Sequence, residues 1–195
     1  MKESTNVVRA IGTVISRTSG YKTPTGDFDF VILEIRRLNK NNLDRVNVYC
    51  KNNIQFKEGD KISVVGSFRS RTVTDDTGSH CNLYVQASSV EIMPQISDDI
   101  NSIELEGFLC KKPVLRKTLK GKTICDLLIA THRKNGKSDY LPLIAWRNIA
   151  EDISKFDVGA KLNLKGRIQS RTYLKNGKEK TAFEISITNF SSEAK

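Results

Sequence analysis

Tyr140, Trp146 and Tyr173 are the side chains in this sequence best suited to a chemical task, and the task they offer is stacking. An aromatic face exposed on a strand or hairpin can hold an unpaired nucleobase, while cations beside it hold the phosphates between bases. Cations are close by in sequence: Lys111, Lys112, Arg116, Lys122, Arg133, Lys134, Arg147, Arg167, Arg171 and Lys175. Phe183 is a fourth aromatic candidate, on a strand where a core role competes with a binding one. Tyr140 and Trp146 are six residues apart, so a regular strand would put both on one face. Leu141, Leu143 and Ala145 would then occupy the other face, the interior.

The charge distribution supports a polyanionic partner. The formal net charge of the 195 residues is +10 at pH 7, which favours nucleic acid or an acidic surface. Residues 1–100 hold 13 Lys and Arg against 12 Asp and Glu, and residues 101–195 hold 19 against 10. The basic excess therefore lies in the second half.

Other chemistries find little support. The four cysteines, Cys50, Cys81, Cys110 and Cys125, form no Cys-x-x-Cys pair, and with two histidines they do not build a structural zinc site. His80 and Cys81 are adjacent, so a strand would point them to opposite faces. Gly121-Lys122-Thr123 has the ending of a phosphate-binding loop, but that motif needs a glycine where Arg116 stands. No nucleophile elbow, zincin motif or paired-carboxylate cluster is present, so an enzyme is not expected, nor a metal or cofactor. No apolar run approaches the ~18 residues of a membrane span. The first residues, Met1 to Asn6, lack the apolar stretch of a secretory signal. A cytosolic protein is expected.

The elements that must position these residues are written twice. "FKEGDKISVVGSFRSRT" from Phe56 and "FDVGAKLNLKGRIQSRT" from Phe156 coincide at seven of seventeen positions without a gap. Upstream, Gly12 pairs with Gly107 and Gly26 with Gly121, so the second copy carries five extra residues in its middle. Alternating apolar residues predict strands over 7–16, 28–37, 45–50, 61–71 and 82–92 in the first copy. The second copy repeats them over 102–110, 123–132, 139–145, 161–173 and 181–188, and 148–155 has helical spacing. Gly12, Gly66, Gly107 and Gly166 fall inside strands, where glycine marks a bulge or sharp bend.

The expected fold is thus all-β: two tandem five-stranded OB-fold barrels, each with a short helix or loop between strands 3 and 4. The boundaries read from the sequence are 1–94, a linker over 95–100, a second barrel over 101–190 and a tail over 191–195. The first copy reads as a degenerate binder. Asp44, Cys50 and Val73 fall about where Tyr140, Trp146 and Tyr173 lie, and its hairpin carries Asp75 and Asp76. Tyr21, Tyr49 and Tyr84 could compensate, with little help from charge.

The second copy resembles the bacterial single-stranded DNA-binding protein family. "IELEGFLCKKPVLRKTLKGKTICDLLIATHRK", "DYLPLIAW" and "VGAKLNLKGRIQSRTYLKNGKEKTAFEI" carry the family's early glycine, proline, aromatic third strand and "G…SR.Y….G" pattern. The resemblance implies sequence-nonspecific binding of single-stranded DNA in replication, recombination or repair, with Tyr140, Trp146 and Tyr173 stacking on bases. A further stacking position of the family falls near Asn135 and is not aromatic here. The resemblance also implies a homodimer presenting four barrels, as in two-domain members, in the bacterial cytosol. Family members commonly end in an acidic tail that recruits replication enzymes; "NFSSEAK" offers none, so no recruitment by that route is expected. Two rival readings share the fold: a primosomal adaptor working through protein contacts, and an RNA-binding OB protein.

Overall fold

The computed structural model describes residues 5–24, 26–37, 42–75, 78–175 and 177–192, with backbone alone at 75, 173–175 and 178–180. Residues 7–102 form one compact unit, and residues 103–192, with Thr5 and Asn6, form the other.

The N-terminal unit is built from β1 (Asn6–Thr23), β2 (Gly26–Arg36), β3 (Leu43–Lys51), β4 (Lys61–Asp75) and β5 (Gly78–Met93). β1 pairs antiparallel with β2, β2 with β3, β5 with β4 and β4 with β1, and β3 pairs parallel with β5. That circuit closes a barrel and leaves no unpaired edge along its middle. Alternation fills it: Val31, Leu33 and Ile35 of β2, Val46 and Val48 of β3, and Val85 of β5 are all buried.

The C-terminal unit repeats the circuit with β6 (Ile100–Leu109), β7 (Val114–Lys117), β8 (Thr123–His132), β9 (Ser138–Trp146), β10 (Lys161–Lys175) and β11 (Lys178–Ser192). A helix, α1 (Arg147–Ile153), sits between β9 and β10 and buries Ala150 and Ile153. The N-terminal unit bridges the same interval with turns alone. β7, absent from the strands expected, pairs antiparallel with β8 as a short arm. Its four residues are all exposed, so they carry no core-facing alternation to betray them.

The repeated glycines mark the same structural event. The β4–β5 register shifts at Val65/Gly66 and the β10–β11 register at Lys165/Gly166. A Cβ would lie 2.3 Å from the Gln86 carbonyl oxygen at Gly66, and 2.4 Å from that of Ser186 at Gly166. Only a residue without a side chain lets the partner backbone cross so closely.

The segment expected as a linker is fastened to the N-terminal unit. Asp99 accepts a hydrogen bond from the Arg36 amide at 2.6 Å and pairs with Lys61 Nζ at 2.6 Å, while Gln95 donates to the Gly59 carbonyl at 3.1 Å. Its polar composition resembled a spacer; here the same groups satisfy the barrel's end. All four cysteines are unbridged. Burial pushes the Cys50 and Cys125 thiols up to about 11, so both are inert core groups.

Candidate nucleic-acid interface

β9 sorts its side chains by alternation. Leu141, Leu143 and Ala145 are buried in the C-terminal barrel, while Tyr140 is 54% exposed and Trp146 half-buried on the outer face. At about 3.3 Å per residue the two rings are roughly 20 Å apart along the strand, a span for several nucleotides. Trp146 lies opposite Ile124 of β8 and is followed by Arg147, exposed, in the left-handed region at φ 54°. That turn ends the strand at the ring and aims the chain into α1.

The expected cations divide into two groups. Lys111, Lys112, Lys122, Lys134 and Arg147 are exposed. Lys112 Nζ also lies 3.8 Å from Asp157, and four arginines, of which Arg116 and Arg171 are exposed too, engage acidic or amide groups of the protein. Arg116 donates to both Asp126 oxygens, at 2.5 and 3.2 Å, and this bond raises its pKa. Arg167 donates to Gln169 at 2.9 Å, and Arg171 lies 3.6 Å from Glu184. Arg133 forms a two-pronged pair with Asp139, a carboxylate with no exposed surface. Arg37 and Asp44 form the same pair in the N-terminal unit. A pair repeated in both barrels belongs to the fold, because a carboxylate so buried needs a partner whatever binds outside.

Phe183 is corrected. It lies on the same side of β11 as Ile185 and Ile187, which fill the core, while Glu184 and Ser186 share the opposite side with Ile144 of β9. Phe183 therefore points away from the face that carries Tyr140 and Trp146. The side chains of Tyr173 and Lys175 lie outside the described residues; their backbones continue β10 opposite Lys180 and Lys178.

The match between the two copies is corrected by one residue. The parallel ladders set Val48 beside Val85 and Leu143 beside Ile185. Asp44 therefore corresponds to Asp139, and Arg45 and Lys51 take the places of Tyr140 and Trp146. The offset of 95 that pairs Gly12 with Gly107 gives the same match.

The N-terminal unit has its own aromatic surface, built from five rings. Tyr21 stacks on Phe28 at 4.7 Å, and Tyr49 lies 5.0 Å from Tyr21, 5.1 Å from Phe30 and 4.9 Å from Tyr84. All five rings are half-buried on the outer side of their strands. The signal was present in "DFDFVILEI", where Phe28 and Phe30 alternate with the core residues, but the tyrosines come from three further strands.

Comparison with known proteins decides the family. The sequence model of the Single-strand binding protein family matches residues 100–192. Single-stranded DNA-binding protein B of Bacillus subtilis is 34% identical over 80 residues, covering 37% of this chain and 71% of that protein. The chain belongs to the single-strand binding protein family. Single-stranded DNA-binding protein 1 of Lactococcus lactis is 35% identical over 81 residues, covering 38% of this chain and 54% of that one. The chain spans a little over half the length of the curated relatives it matches first, 53% to 59%. The wild-type single-stranded DNA binding protein of Thermus aquaticus superposes over 100% of this chain and 95% of its own, with a TM-score of 0.79 and 20% identity. The likeness shows a shared architecture, two OB-folds in one chain.

Proposed function

We propose that the chain binds single-stranded DNA with little sequence preference, using the outer face of β9 and exposed cations of the same unit. Family membership, carried by residues in the C-terminal unit, is the observation that supports this most. Tyr140 and Trp146 would stack on bases, and Lys111, Lys112, Lys122, Lys134 and Arg147 would displace counterions from phosphates. Tyr173 and Lys175 would extend the surface along the β10–β11 hairpin. No step makes or breaks a covalent bond. The role would lie in replication, recombination or repair, and two chains pairing in the bacterial cytosol would present four barrels.

Trp146, the single tryptophan, makes the test direct. Oligo-dT should quench its fluorescence, duplex DNA of equal length should not, and sedimentation should show a dimer. If five cations meet phosphates, the slope of log K against log salt is about −3.5, so affinity falls roughly a hundredfold from 50 to 200 mM salt. Absent quenching together with salt-insensitive binding would refute the reading. Preference for oligo-U would transfer it to RNA.

A further inference from the structure

We infer that the N-terminal unit carries a second binding face for unpaired nucleobases, one that holds them by stacking with little help from charge. This rests on the proposed function and extends it to a unit outside the residues matched by the family model.

The rings of Tyr21, Phe28, Phe30, Tyr49 and Tyr84 are drawn from β1, β2, β3 and β5, with successive centroids 4.7 to 5.1 Å apart. The barrel does not need them for its core, because Val31, Leu33, Val46, Val48 and Val85 already fill it from the opposite side of the same strands. Neither does the fold need rings at these places. The ladders put Asp126, Ile144 and Glu184 of the C-terminal unit where Phe30, Tyr49 and Tyr84 stand. There the Arg116–Asp126 ion pair ties β7 to β8, the task that the Tyr21–Phe28 stack performs between β1 and β2. Phe30, Tyr49 and Tyr84 are half-exposed rings that the core does not demand and the other barrel does without, which is the chemistry of a stacking platform.

The platform is held in place before any ligand arrives. Gln86 accepts from the Tyr21 hydroxyl at 2.7 Å and donates to the Tyr49 carbonyl at 3.4 Å, which fixes the arm over the sheet. Rings already ordered lose little rotamer freedom on binding. Residues 1–100 hold 13 cations against 12 carboxylates, so few counterions would be released here. The two faces would therefore respond differently to salt.

The experiment uses the full chain and a labelled oligo-dT, read by anisotropy at about 50 and about 500 mM salt. Phe30→Leu and Tyr84→Ala, each checked for an unchanged urea melt, should weaken binding about fivefold or more at high salt. They should leave the Trp146 quench at low salt in place. A second measurement needs no variant: cross-linking of a 5-bromouracil oligonucleotide to the unmodified protein should map to Tyr49 or Tyr84. Wild-type affinity in both variants, or cross-links confined to the C-terminal unit, would overturn the inference while leaving the proposed function intact. If the unmodified protein fails to bind oligo-dT at either salt, the proposed function itself falls.

Discussion

Arg133→Ala separates a fold residue from a DNA contact. Arg133 donates through Nε at 2.8 Å and through a second guanidinium nitrogen to Asp139, whose side chain has no exposed surface. Removing the cation strands a buried carboxylate, which typically costs about 3–5 kcal/mol. Arg133 is itself 22% exposed, so water can reach the gap, and about 3 kcal/mol is the expected loss. With a urea slope of about 1.5 kcal/mol/M, the midpoint should fall by about 2 M. Trp146 lies at the end of β9, the strand that begins beside Asp139, so its fluorescence follows the correct unit. Replacing both partners, as Arg133→Met with Asp139→Leu, should recover much of the loss, since no charge remains to be solvated. Oligo-dT affinity under native conditions should change less than threefold in the folded variants. A melt within about 0.5 kcal/mol of wild type, combined with a tenfold loss of DNA affinity, would refute the reasoning and return Arg133 to the binding surface.

Other outcomes are equally open to measurement. Trp146→Ala should weaken oligo-dT binding by about 1–3 kcal/mol, roughly 5- to 150-fold, without changing the salt slope, since no cation is lost. Lys122→Ala should instead reduce that slope by about 0.7 with a smaller loss at high salt. Gly166→Ala should destabilise the C-terminal unit by about 1–3 kcal/mol in denaturant, because the new Cβ would meet the Ser186 carbonyl oxygen, or its ladder must shift. Alkylation at pH 8 should label exposed Cys81 long before Cys50 or Cys125, whose thiols burial raises to about 11. A thiol so raised keeps its proton where the unfolded chain has lost it. Stability from these two is thus full below about pH 9 and fades as pH climbs toward 11.

The duplication, the strand order and the all-β class could be read from the chain, because period-2 alternation and repeated glycines are local signals. "KLNLKGRIQ" shows the alternation and the bulge glycine together, and the structure places β10 there. The outward pair Tyr140 and Trp146 was legible for the same reason. Three features were not. β7 has no buried face to reveal it, the ring cluster draws Tyr21, Phe28, Tyr49 and Tyr84 from four strands, and only the buried Asp139 beneath Arg133 sets it apart from the surface cations.

What the sequence by itself determined is a barrel written twice, with its basic charge in the second copy, the aromatics Tyr140 and Trp146 ahead of the shared motif and Tyr173 just beyond it. Only the tertiary structure decided which side chains of different strands share a face, and that five rings gather on the first copy. The reason is the pleat. A slip of one residue moves a side chain to the other side of a strand, as the bulges at Gly66 and Gly166 shift one ladder against the next. Counting along the chain could not say that Tyr49 and Tyr84 meet at 4.9 Å, or that Asp99 reaches Lys61. Those facts belong to the pairing of segments far apart in sequence.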